Sequence, residues 1–203
     1  MSAANFEEFV GEDYSEAQLA DSRWVDRHYT KCSFREADLA GLHTQRVVFS
    51  ECDFTGADMS QTRHVASAFR SCTFSGTTLW HSSFKHSTML GSVFTRCRLR
   101  PIELVSVDFS LASLGGADLQ KVDLSDCRFR EAILVQADLR GASLNSVDLL
   151  GARTTGLRLE HADLRGAHID AQLWTTAKLT GAHIELAQAA AYARANGLKV
   201  ELS

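Results

Sequence analysis

One periodicity constrains this chain more than any other feature. Stepping by five from Tyr14 to Ile184 visits 35 positions, and all but Thr44, His64 and Thr154 carry Leu, Phe, Met, Ile, Trp or Tyr. A strand buries every second residue and a helix every third or fourth, so neither regular element explains the spacing. The position two before each centre is small, as at Cys32, Ala37, Val47, Cys52, Ala57, Cys72, Cys97 and Cys127, and it holds all five cysteines. The other three positions are polar, with Asp frequent just before the centre and Gly frequent two after it, as in ADLAG (37–41) and ADLRG (137–141). One large and one small inward residue per five describe a chain that turns a corner every five residues.

A second period counts the sides. Phe34, Phe54, Phe74 and Phe94 lie 20 apart, as do Cys32, Cys52 and Cys72, and a third ladder runs from Leu39 and Met59 through Leu79, Leu99, Leu119, Leu139 and Leu159 to Leu179. Like residues recurring at 20 imply four sides per coil. Stacked coils pair as parallel strands about 4.8 Å apart, each packing only on its neighbours. Thirty-five pentads make nearly nine coils, a rod on the order of 40 Å long at that spacing.

These residues resemble the pentapeptide-repeat family, whose pattern is a small residue, a polar one, Leu or Phe, and two variable positions. The resemblance implies an all-β fold, a right-handed quadrilateral parallel β-helix, over residues 14–184. Residues 1–13 are expected to form an acidic N-terminal segment outside the repeat, and 185–203 a short helix and tail that cap the last coil. In that tail Leu186, Ala189, Ala190 and Ala193 share one helical face, Gly197 suits the residue after a helix, and Leu198, Val200 and Leu202 alternate like a short strand. The resemblance further implies homodimerisation through this element. Pro101, the only proline, lacks an N–H and predicts an irregular coil at 98–103. Thr44 and His64, 20 apart, are expected to stack and hydrogen-bond inside.

The net charge of −4 hides segregation. Residues 1–58 hold 12 acids and 5 bases, residues 59–102 hold no acid but six bases (Arg63, Arg70, Lys85, Arg96, Arg98 and Arg100), and residues 101–150 hold 8 acids against 4 bases. The acidic start lacks the basic, apolar character of a secretory signal, and no apolar run reaches membrane-spanning length, so a cytoplasmic protein is expected. Odd cysteines without a CxxC pair argue against disulfides and zinc, and the packing role suits Cys as a small hydrophobe. No phosphate loop, metalloprotease helix or nucleophile elbow is present, so neither catalysis nor a cofactor is expected.

What remains is the surface. The Asp just before the centre recurs, and for any single Asp hydrogen bonding to a nearby backbone N–H is the simplest role. Together, rows of carboxylates on a rigid rod could compete with DNA phosphate for a basic groove. The segments LHTQRVVFSECDF (42–54), TTLWHSSF (77–84), MLGSVFTRCRLRP (89–101) and ARTTGLRLEHADLRGA (152–167) are similar to those of fluoroquinolone-resistance members of the family. That similarity implies a DNA mimic that binds DNA gyrase, through its ATPase-bearing B subunit or its DNA-binding surface, and protects it from quinolones. Asp108, Asp118, Asp123, Asp126, Asp138 and Asp148 are the candidate contacts, without direct nucleic-acid or membrane binding. Two alternatives stand beside it: a nucleic-acid binder using the basic 59–102 band, or a scaffold for another protein such as a small regulatory GTPase.

Overall fold

The computed structural model describes residues 6–201. The chain winds into a four-sided coil whose successive turns pair in parallel at a constant offset of 20 residues. The first side carries the ladder from Glu8 and His28 through Asp108 to His168; the second runs from Asp13 to Arg153, the third from Gln18 to Lys178 and the fourth from Arg23 to His183. Three sides contain short strands, including four on the first (Glu7–Val10, Arg27–Thr30, Val48–Ser50, Ala68–Arg70) and five on the fourth, from Arg23–Val25 to Ile102–Val105. The third is built of single bridges such as Asp38 to Asp58.

The five-residue unit explains itself in backbone terms. The centre residue points inward: Phe34, Phe54 and Phe74 are fully buried and stack at 5.0 and 5.1 Å between ring centroids. Two residues later the chain turns in the left-handed region, with φ between +48° and +72° at the corners from Gly11 to Gly166, apart from Pro101. That conformation favours glycine, which accounts for the Gly seen two after the centre. The small residue before each centre does more than fill space. The thiols of Cys52 and Cys72 donate to the carbonyls of Tyr29 and Phe49, 3.4 and 3.5 Å away in the coil below, and Thr77 and Ser92 donate to Phe54 and Phe69 in the same way. A small donor, and not merely a small residue, is therefore suited to this position. Burial pushes the Cys127 thiol up to about 11, in keeping with a packed, unreactive group.

Thr44 and His64 meet as expected, with hydroxyl and Nδ1 2.7 Å apart, and Ser67 completes the cluster 2.9 Å from the same hydroxyl. The coil starts earlier than the expected boundary at residue 14. Glu7–Val10 pairs in register with Arg27–Thr30, and Phe9 stacks on Tyr29 at 4.8 Å, because Phe9 already stands one step of five before Tyr14.

The C-terminal end departs from the simple repeat twice. A six-residue helix, α1 (Ala171–Thr176), replaces the last rung of the second side, capped by the Asp170 carboxylate accepting from the Gln172 N–H. Its Trp174 remains buried at a centre position, and Thr176 bonds Thr154 at 2.9 Å, so that polar centre has an inward partner. The terminal helix, α2 (Leu186–Ala195), lies on the end of the coil, where Gln188 Nε2 donates to the Leu164 and Ala167 carbonyls. It closes with Gly197 at φ +85° and with the Leu198 N–H donating to the Ala193 carbonyl, the bond of a Schellman end. Ala189, Ala190 and Ala193 are half-buried, whereas Leu186 faces outward. The expected strand at 198–202 is not formed at residues 198–201, and Leu202 lies outside the described residues.

Pro101 disturbs the coil where expected. Proline fixes φ near −65°, so this corner cannot take the left-handed turn of the other corners, and its missing N–H leaves the Gln120 carbonyl without the usual donor. The Arg100 guanidinium donates to that carbonyl instead, at 3.3 Å.

Candidate acidic interface

Each Asp before a centre lies on an outer side with its Oδ1 turned back to the backbone. Asp38, Asp58, Asp108 and Asp123 accept from the N–H groups of Ala40, Ser60, Ser110 and Ser125 at 2.8–3.1 Å. This turn chemistry accounts for the recurrence of Asp without any partner, and leaves the second carboxylate oxygen facing outward.

The six candidate contacts do not gather. Asp108 and Asp148 stand on the first side with Arg128 between them in the same ladder, Asp118 and Asp138 on the third, and Asp123 on the fourth, with Asp126 at the next corner. Four of them are also matched by arginines of the same chain. Arg128 approaches Asp108 at 3.5 Å, Arg130 approaches Asp148 at 3.1 Å, Arg100 pairs with Asp118, and Arg140 and Arg158 hold Asp138 at 2.7 and 3.2 Å. The Arg140 guanidinium keeps the Asp138 carboxyl below the usual range. Asp123 and Asp126 have no ion partner among the described residues, and the Ser125 hydroxyl and N–H lower the Asp123 carboxyl.

The carboxylates without an ion partner concentrate elsewhere. Glu12, Asp13, Glu16, Glu36, Asp21, Asp38 and Asp58 cover the second and third sides of the first three coils, with no salt bridge to any of them among the described residues. Arg35, the one arginine among them, is bound to Asp53 at 2.8 Å. Asp38 and Asp58 are bridge partners, and Glu16 and Glu36 occupy successive corners of one column. The sequence signal was available in the corner acids Glu16, Asp21 and Glu36, which a search confined to the Asp before each centre passes over. The adjoining fourth side carries Arg23, His43 and Arg63 as successive rung partners, so the N-terminal half is acidic on one flank and basic on the next. Among the described residues there is no cluster of His, Cys, Asp and Glu suited to a metal, and no helix long and apolar enough to cross a membrane.

Comparison with known proteins agrees with the architecture. A family model described as pentapeptide repeats (8 copies) matches residues 32–63, 108–145 and 123–153. The pentapeptide repeat protein MfpA of Mycobacterium tuberculosis (strain ATCC 25618 / H37Rv) is 56% identical over 103 residues, a match spanning 51% of this chain and 56% of that relative's length. Among solved structures, a trypsin-treated form of QnrB1, a plasmid-mediated fluoroquinolone resistance protein, superposes with a TM-score of 0.84 over 97% of this chain and 98% of its own, at 18% identity. Full-length QnrB1 gives 0.71 over 95% and 98%, also at 18%. Those two likenesses concern the fold alone. The unbroken five-residue register, the four-sided coil and the family-model match over residues 32–63 and 108–153 show pentapeptide repeats wound into a quadrilateral β-helix.

Proposed function

We propose that this chain is a fluoroquinolone-resistance protein that binds DNA gyrase in the cytoplasm as a mimic of DNA and modulates the enzyme. The observation that carries the reading is the 56% identity to MfpA, and the rod geometry supports it. Eight ladder spacings from Glu8 to His168 span about 38 Å, and among the described residues the interior of the coil is filled with side chains. Binding, not chemistry, is what such a rod can do.

Duplex DNA presents about one charge per 1.7 Å of axis, and uniform mimicry is beyond a chain whose central carboxylates are matched by arginines. The mimic therefore works in patches. The N-terminal carboxylates from Glu12 to Asp58 form the densest one, and Asp123 and Asp126 add a second on the fourth side. Dimerisation belongs to the other end, where a recess of about 350 Å³ lined by Trp174, Leu179, Ile184 and Tyr192 stays open beside α2. Pairing two chains there would cover the end of the coil and leave both acidic ends outermost.

Mixing the purified protein with gyrase and following complex formation, supercoiling and ATP hydrolysis tests this reading. Saturable binding to one subunit with reduced supercoiling is expected. A salt-dependent shift of labelled duplex DNA by the protein alone, without any effect on gyrase, would instead assign the Arg23–His43–Arg63 flank to direct nucleic-acid binding.

A further inference from the structure

The four ladders do not all run the length of the rod. On the first side Thr88 bridges Asp108 and Asp108 bridges Arg128; on the second Val93 bridges Ser113 and Ser113 bridges Ile133. On the third side Arg98 bridges back to Thr78 but not forward to Asp118, and on the fourth Glu103 pairs back with Ser83 but not forward to Asp123. One coil further on both ladders resume, from Asp118 to Asp138 and from Asp123 to Ser143. Hydrogen bonds follow the same pattern. The N–H groups of Leu119, Leu124 and Asp126 donate to Asp138, Ser143 and Asn145 in the next coil, whereas those of their counterparts Leu99, Leu104 and Ser106 have no such bond.

The seam has a local cause and several independent marks. Its two open sides flank Pro101, the corner that cannot turn left-handed. Cys97, Ile102 and Ala117, at the inward small position that is otherwise buried from Cys32 to Ala167, are part-exposed here. A cleft of about 100 Å³ lined by Phe94, Cys97, Leu99 and Ala117 enters from outside, and a cavity of about 10 Å³ touching Leu99, Leu104 and Leu119 lies within. Across the seam, at the offset of 20 residues, Arg98 stands opposite Asp118 on the third side, whereas on the fourth Glu103 stands opposite Asp123. Arg100 crosses it, bonding the Asp118 carboxylate and the Gln120 carbonyl.

We propose that the rod is jointed at this seam: two stiff blocks, residues 7–105 and 108–184, hinge about the edge between the first and second sides, and Arg100 is the latch that holds the third and fourth sides shut. Closed, Arg100 holds Asp118 across the third side, while the fourth side, where Glu103 stands above Asp123, has no such attraction of its own. Screening or removing the latch lets that side open, while the continuous ladders opposite keep the blocks joined. A jointed rod can follow a binding groove that is not straight.

Paired spin labels test the joint in the full chain carrying Cys97→Ala, since the other four cysteines are buried. Thr78→Cys with Lys178→Cys places labels five rungs apart across the seam on the third side, about 24 Å at the ladder spacing. Val48→Cys with Asp148→Cys spans the same number of rungs on the unbroken first side. The third-side pair should give the broader distance distribution, and it should lengthen in 1 M salt, where screening acts within about 3 Å; the first-side pair should stay narrow. Arg100→Gln should lengthen the third-side distance at low salt. Pro101→Gly, which restores the N–H and the left-handed corner, should narrow it. Equal widths on both sides, indifferent to salt and to Arg100→Gln, would overturn the joint. Should Arg100→Gln fail to fold, the salt response of the labelled parent decides alone.

Discussion

His64 shows how strictly the coil interior treats a polar side chain. The ring stacks on Phe84 at 4.5 Å and bonds Thr44 through Nδ1, while its buried Nε2 has no partner. Burial, with a smaller contribution from His43, holds the imidazole down to about 3, against 6.5 when free. Between those values the unfolded chain binds the extra proton, so the stability is complete above pH 6.5 and falls as the pH drops, by about 2 kcal/mol at pH 5. His64→Phe should remove that acid sensitivity, because a second ring continues the stack and Thr44 retains Ser67; denaturant midpoints at pH 5 and 7.5 measure it. Corners give the opposite lesson, that a side chain can be one atom too large. Ala66 sits at φ +48°, where an L-residue costs roughly 1–2 kcal/mol and glycine loses about 0.5–1 kcal/mol of chain entropy. Ala66→Gly should therefore stabilise by up to about 1 kcal/mol, and Gly76→Ala, whose added Cβ would touch nothing within 4 Å, should destabilise by a similar amount. Thermal unfolding of the pair reads both signs.

At the scale of the element, the ring stacks are the unit of stability. Phe54 is fully buried between Phe34 and Phe74 and meets Phe49 edge-on at 5.3 Å. Phe54→Ala should cost about 3–5 kcal/mol, and because each coil rests only on its neighbours, faster amide exchange should be confined to the coils beside it. The coil was legible in the sequence because its period of five belongs to no other element, and its corner residues confirmed it. α1 was not, since Trp174 keeps the register through it. Its one trace is Gln172, which stands where a small residue belongs, and six residues hold too little helical period to be read. The start at Glu7 was hidden by treating Tyr14 as the first centre although Phe9 precedes it by five. At the far end Leu186 and Leu198 are 89% and 64% exposed, so neither supports its own chain. If two chains pair through α2 as proposed, Leu186→Asp with Leu198→Asp should yield a monomer by light scattering while the fold is kept by circular dichroism; an unchanged mass would rule that contact out.

At the scale of the whole molecule, composition describes charge poorly because ladder neighbours 20 residues apart cancel or add. The acidic stretch 101–150 invited a central interface, yet its carboxylates occupy three sides and Arg100, Arg128, Arg130, Arg140 and Arg158 match four of the six. Only the four-sided stacking shows that Glu16 and Glu36 share a column and that Asp38 faces Asp58. An exposed charge already paired within its own chain gives a partner little, whereas an unpaired one steers association from a distance. Two triple variants separate the patches. Glu36→Gln, Asp38→Asn and Asp58→Asn together remove unpaired charge, while Asp118→Asn, Asp123→Asn and Asp138→Asn together remove three carboxylates, two of which arginines already hold. If DNA mimicry rests on the N-terminal flank, the first variant should bind gyrase at least about tenfold more weakly, the equivalent of about 1.4 kcal/mol, with a shallower dependence on salt. The second should lose much less. The reverse order, measured on variants with unchanged melting temperatures, would return the interface to the middle of the rod.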